Sequence, residues 1–301
     1  MTVKAQRIIP VMLSILLISG VCYAKRVDAR VFSYDNAKTV VGLSRDYRVR
    51  GRDSLIEIAR RFDLGFNEIA DANPGVDPFV PGNGASVILP TSWILPDTTS
   101  HSGIVINLSE LRLYYYFEAK GARYVTTFPV GIGREGDLTP TGIFKVMEKI
   151  VGPAWHVPDS IRKEEPRLPA VVPAGPNNPL GSHAMRLSLP TILIHGTNKP
   201  WGVGRRVSHG CIRLYPEDIP RLFKLVSIGT GVEIVRQPVK VGTRDNRVYV
   251  EIHKDGGGDH EDYFQTAVHA LQKKGLLNRI STKKLYSAVE GQLGMPVDIT
   301  E

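Results

Sequence analysis

The chain has 301 residues, 42% of them apolar and 23% charged, with 29 glycines, 21 prolines and a formal net charge of +8. That length holds more than one domain of roughly 100–200 residues, and the composition is that of a globular protein whose core needs neither disulfides nor metal. The positive balance suits anionic surroundings, yet no basic helix carries interleaved aromatics, so nucleic acid is not an expected partner.

Residues 1–24 read as an export signal. Lys4 and Arg7 form a positive start, an apolar run follows, and Cys22-Tyr23-Ala24 offers small residues before a cut. The run falls short of the ~20 residues a membrane-spanning helix needs. Bulky Val21 before Cys22 argues against a lipoprotein signal. Cleavage would leave Cys211 as the only cysteine, which rules out an internal disulfide.

After a mixed lead segment, residues 47–90 predict strand, helix, helix, strand. Tyr47-Arg48-Val49 alternates. Ser54 and Glu57 make a capping-box pair, and Leu55, Ile58, Ala59 and Phe62 follow at helical spacing. A shorter helix over 66–72 stops at Asn73-Pro74-Gly75, and Val87-Ile88-Leu89 is the closing strand. This unit, bounded at 46–91, resembles a LysM module through Tyr47-Arg48-Val49-Arg50-Gly51-Arg52-Asp53-Ser54-Leu55, Ala72-Asn73-Pro74-Gly75 and Pro81-Gly82. The resemblance implies binding to glycans such as peptidoglycan. The extra glycine in Val80-Pro81-Gly82-Asn83-Gly84 departs from the pattern near the expected sugar groove.

Residues 93–102 read as a linker. Strands are then expected over 104–108, 111–117, 124–130 and 142–146. Leu111, Leu113 and Tyr115 alternate against Arg112, Tyr114 and Tyr116, as on a half-exposed sheet face. The proline-rich stretch 151–186 reads as a long functional loop, a lid by its size. A strand over 191–195 and a Gly-rich turn at 202–204 lead to Ser208-His209-Gly210-Cys211. A helix is expected over 216–226, with Pro216 at its first position. Beyond 237, a strand over 247–253, a Gly256-Gly257-Gly258 turn and helices over 263–271 and 283–292 suggest a small C-terminal subdomain (237–301).

A lone thiol beside imidazole is the composition of a nucleophile with its base, and an adjacent imidazolium would lower the thiol pKa. Cys211 would attack. Gly210 lets backbone approach substrate closely, and the N–H groups of Gly210 and Cys211 would make an oxyanion hole. His195 ends an apolar strand and suits the base, its tautomer set by a carbonyl such as that of Gly196. His209 is the rival base, taken here in a supporting role. Ser208 and Arg213 are the candidate substrate contacts. Arg213 would hold a carboxylate, or instead pair with Glu217 or Asp218. Zinc on His195, His209 and Cys211 fits no usual ligand spacing, so neither metal nor cofactor is expected.

Thr139-Pro140-Thr141-Gly142-Ile143-Phe144, Asn178-Pro179-Leu180-Gly181, Ile194-His195-Gly196-Thr197-Asn198 and Ser208-His209-Gly210-Cys211-Ile212-Arg213-Leu214 closely resemble the L,D-transpeptidases of the YkuD-domain family, in its periplasmic branch. The resemblance implies a mainly β catalytic domain (102–236) beside a small βααβ LysM module and a small α+β C-terminal subdomain. It implies Cys211 as nucleophile, His195 as base, the Gly196 carbonyl as its orienter, and His209 with Gly210 in the site. Arg213 stands where many members carry asparagine. The implied reaction releases D-alanine from a tetrapeptide stem through a thioester and passes the acyl group to an amine. That amine is diaminopimelate of another stem or the lysine of Braun's lipoprotein, in the periplasm. The alternatives are an L,D-carboxypeptidase and a non-catalytic peptidoglycan-binding protein.

Overall fold

The computed structural model describes residues 31–255 and 262–301. The expected export signal (1–24) and the glycine turn at 256–258 lie outside the described residues.

Nine strands form one sheet in the spatial order Val31–Ser33, Ala122–Pro129, Arg112–Ala119, Gly103–Asn107, Gly231–Val235, Gly142–Val151, His183–Leu187, Leu193–His195 and Ile212–Arg213. Two neighbouring pairs run parallel: Gly231–Val235 with Gly103–Asn107, and Leu193–His195 with Ile212–Arg213. A parallel pair cannot be closed by a tight turn. The second pair therefore needs a crossover, and residues 196–211 supply it.

Side-chain alternation gives the sheet two apolar faces. Ile104, Ile106, Leu113 and Phe128 enter one core with Ile194, Ile212, Leu214 and Leu222. Val105, Tyr114, Tyr116 and Val125 enter a second core, shared with Leu55, Ile58, Leu64, Ile69 and Trp93. The face expected to be half-exposed is thus fully covered, and Arg112 within it has no exposed surface at all.

The cover is the βααβ unit: Arg45–Arg48, helix α1 (Leu55–Arg61), helix α2 (Phe66–Asp71) and Ser86–Leu89. Ser54 and Glu57 cap α1 reciprocally, with Ser54 N–H donating to Glu57 Oε2 at 2.8 Å. Asn73 ties the unit shut. Its side chain donates to the Ile69 and Ile88 carbonyls and accepts from Ile88 N–H at 2.7 Å.

Buried Arg112 reaches across to Glu68 with two hydrogen bonds of 2.8 and 2.6 Å and stacks 4.3 Å over the Trp93 ring. Glu68 also accepts from Trp93 Nε1 and from Gly65 N–H. A buried charge is tolerated only when its lone pairs are filled in this way. The supposed linker starts differently from expectation: Ser92–Ile94 is a buried strand paired with Val40–Gly42. Its apolar Trp93, Ile94 and Leu95 belong to a core.

The stretch read as a lid has local structure. Trp155–His156 pairs with Val171–Val172, helix α3 (Asp159–Glu164) lies between them, and buried Asn178 donates to the Pro153, Val172 and Pro173 carbonyls. The helix expected from Pro216 begins later, as α4 (Ile219–Leu225). Asp218 is its N-cap and Pro220 sits in the first turn, where a missing N–H costs nothing.

The C-terminal part is a hairpin of Val239–Arg244 and Arg247–Ile252 with helices α5 (Tyr263–Lys273) and α6 (Thr282–Gly291) packed on it. Asp245 and Asn246 turn the hairpin at positive φ, as a two-residue primed turn requires. Lys240 Nζ lies 2.6 Å from Glu110 and 2.9 Å from Glu251, and donates to the Ile94 carbonyl. This buried knot joins the catalytic part, the Ser92–Ile94 strand and the C-terminal hairpin.

Candidate active site

Four elements converge on the site. The strand Leu193–His195 ends in His195, and Ile212–Arg213 runs parallel beside it, with His195 opposite Arg213 and Leu214 N–H donating to the His195 carbonyl at 2.8 Å. Cys211 immediately precedes that second strand. The loop 133–139 closes over the turn, and the 196–211 crossover brings the chain back.

His195 is buried, and its Nδ1 lies 2.6 Å from the Gly196 carbonyl. A carbonyl only accepts, so Nδ1 carries the proton and Nε2 is the basic nitrogen. Burial, aided by the Arg213 charge and opposed by the Gly196 and Leu180 carbonyls, lowers the imidazole pKa to about 3. Cys211 is half-buried and its thiol donates to the Thr191 carbonyl at 3.5 Å. Burial raises its pKa, while the Leu193 backbone and the Arg213 and Arg186 charges pull it down. Both shifts favour uncharged groups. Burial thus works toward the uncharged thiol and the uncharged imidazole.

Gly210 has φ +95, a conformation that L side chains avoid. Its carbonyl accepts from Thr139 Oγ1 at 2.8 Å, and the same hydroxyl accepts from Gly133 N–H at 2.9 Å. Ser208, expected to touch substrate, is fully buried, and its hydroxyl donates to the Cys211 carbonyl at 2.6 Å. It closes the turn from inside. His209 turns to the loop instead, with Nδ1 2.9 Å from Asp137. Arg134 bridges Asp137 and Glu164 of α3, each at 2.7 Å, and approaches His209 Nδ1 at 3.3 Å. These bonds tie α3 to the cysteine turn.

Arg213 has a buried Nε with no hydrogen-bond partner, and no carboxylate pairs with it among the described residues. Glu217 takes Arg60 and Asp218 takes Arg221, so the structural pairing weighed for Arg213 is not realised. Its guanidinium, beside the thiol, is available to an anionic ligand.

The likeness to known proteins agrees with this geometry. The YkuD family, an L,D-transpeptidase catalytic domain, matches residues 101–241. The chain is 41% identical over 259 residues to the probable L,D-transpeptidase YcfS of Escherichia coli, spanning 82% of this chain and 80% of that one. The chain belongs to the L,D-transpeptidase family. The enzyme is also 46% identical over 202 residues to the probable L,D-transpeptidase YbiS of Escherichia coli (65% and 64% of the two chains). A third relative is the probable L,D-transpeptidase ErfK/SrfK of Salmonella typhimurium, 37% identical over 258 residues and matched over 82% of each chain.

Sequence reasoning singled out every residue of the cysteine turn of this L,D-transpeptidase, but missed its supports. Thr139 lay in a quoted motif with no role attached. Arg186 sits in the strand His183–Leu187 with nothing in its neighbours to mark it. The Arg134–Asp137–Glu164 bridge spans separate segments, and only the fold assembles it.

Proposed function

We propose that the chain is an exported, periplasmic enzyme acting on peptidoglycan tetrapeptide stems. Cys211 attacks the amide between diaminopimelate and the terminal D-alanine. His195 Nε2 takes the thiol proton as the carbon–sulfur bond forms and delivers it to the departing D-alanine nitrogen. The N–H groups of Gly210 and Cys211 receive the oxyanion, each such donor being worth about 2.7–4 kcal/mol of barrier. Arg213 takes a substrate carboxylate, and His209 steadies the turn against the lid. An amine then attacks the thioester: diaminopimelate of a second stem or the lysine of Braun's lipoprotein. The βααβ unit at 46–91 acts as a LysM-like wall-binding module.

One observation carries this reading. The 2.6 Å contact between His195 Nδ1 and the Gly196 carbonyl fixes the tautomer that makes Nε2 a base without a carboxylate partner. The test uses the mature chain with purified tetrapeptide stems, followed by mass spectrometry. A thioester on Cys211 and free D-alanine are expected, and Cys211→Ala should lose more than ~10³-fold in rate, as when a nucleophile is deleted. An equally active Cys211→Ala enzyme overturns the mechanism. Repeating the assay with each candidate amine, or with water alone, identifies the acceptor.

A further inference from the structure

A depression of about 380 Å³ lies where α1 meets the catalytic crossover, lined by Ile56, Glu57, Arg60, Arg61, Trp201 and Tyr215. We infer that it binds the glycan strand of the wall polymer, a subsite built jointly by the βααβ unit and the cysteine-bearing crossover. The inference rests on the proposed peptidoglycan substrate.

Trp201 is 58% exposed and leaves a large flat apolar surface at the rim of the depression. The backbone that carries it is an ordered turn. Pro200–Gly202 forms a short 3₁₀ turn, closed by Val203 N–H on the Pro200 carbonyl at 3.1 Å, and Lys199 N–H donates to Thr197 Oγ1 at 2.9 Å. The indole thus projects from a hydrogen-bonded turn. Tyr215 forms the buried floor, its hydroxyl donating to the Leu64 carbonyl at 3.0 Å.

Opposite Trp201, α1 offers mixed polarity. Arg60 makes a two-bond pair with Glu217 at 2.9 Å and lies over the Tyr215 ring, and Arg61 is held by Asp53 and Tyr47. A flat indole against a rim of fixed planar charged groups suits a β-linked pyranose chain. The sugar's C–H face stacks on the electron-rich ring, and its edge hydroxyls meet the guanidinium and carboxylate. The volume lies within the roughly 300–1,000 Å³ of small-ligand pockets. A protein partner would call for a broader apolar patch than one tryptophan and one isoleucine.

The experiment compares wild-type mature chain, Trp201→Ala and Trp201→Phe. Each is titrated with stem-free glycan chains prepared from sacculi, followed by tryptophan fluorescence and by co-sedimentation with whole sacculi. Trp201→Ala should weaken glycan binding by about tenfold and raise KM for glycan-borne tetrapeptide by a similar factor, with kcat little changed; Trp201→Phe should restore most of both. Acylation of Cys211 by a carbapenem in the same preparations reports on the thiol separately. Were acylation absent in wild type while glycan still bound through Trp201, the catalytic reading would fail and the subsite would stand. Unchanged glycan binding in Trp201→Ala overturns the subsite. So does a loss confined to binding of a protein acceptor, or a fall in carbapenem acylation that matches the loss on glycan-borne stems.

Discussion

His195 concentrates the chemistry in one side chain. Its folded pKa of about 3 lies below the ordinary 6.5, so the unfolded chain binds the extra proton at any pH between the two. Stability from this group is present above pH 6.5 and drains away as pH falls toward 3. Between pH 6.5 and 4.5 the loss is about 2–3 kcal/mol, at 1.36 kcal/mol per unit. Urea unfolding at pH 7.5 and 4.5 should show this loss in wild type and a smaller one in His195→Gln; an identical pH response in both would refute the buried neutral imidazole. The same neutrality means that carbapenem acylation should not fall between pH 7.5 and 5.5, where an imidazole of ordinary pKa would already be protonated.

Among the elements, α2 and the crossover meet backbone to backbone. The Val203 and Gly204 carbonyls accept from Phe66 N–H and Asn67 N–H, so the crossover satisfies the start of α2. Gly204 has φ +77, and a Cβ placed there would lie 2.2 Å from Phe66 N and 2.4 Å from Gly65 Cα. Backbone on both sides cannot give way. Gly204→Ala should cost about 2–4 kcal/mol, in the upper range of single substitutions. It should also slow acylation of Cys211, because strain enters the segment that carries the thiol. A thermal melt and acylation rate both unchanged from wild type would show that the contact is slack. At this scale the sequence was informative where patterns are local: the capping box, the α1 periodicity and the turn at Asn73 predict the βααβ unit. It was uninformative where burial comes from elsewhere. Nothing in Arg112-Leu113-Tyr114-Tyr115-Tyr116 says that its polar face will be covered, since the cover is some fifty residues away in sequence. Val239–Arg244 was missed because Asp245-Asn246 is a weaker turn signal than the Asn-Gly or Asp-Gly pairs.

For the molecule as a whole, the catalytic sheet is not self-sufficient. Val105, Tyr114, Tyr116 and Val125 are buried against the βααβ unit, and Lys240 holds the C-terminal hairpin to Glu110 of the catalytic part. A chain trimmed to residues 101–241 would expose that apolar face and leave buried Arg112 without Glu68. Breaking such a pair costs about 3–5 kcal/mol. The trimmed chain is expected to aggregate or to bind a hydrophobic dye, whereas residues 31–301 fold cooperatively; a monomeric trimmed chain with a sharp unfolding transition would contradict the shared core. Composition and motifs made the order of the main elements readable. They could not make readable that the parts share cores, because that depends on which face of the sheet each one meets. Nor could they show that burial by the surrounding strands favours the uncharged imidazole of His195.

The glycine-to-glycine seam between residues 65 and 204 has a mechanical corollary. With no side chain in the seam to flex, and with hydrogen bonds across it, the outer unit and the thiol move as one piece. Whatever grips the outer unit therefore sets the position of the sulfur as well, at a constant offset. On the proposed reading of the outer unit as the wall-binding module, such an enzyme works as a gauge laid along its polymer: it reacts with groups that fall at a fixed reach from its grip and passes over the rest.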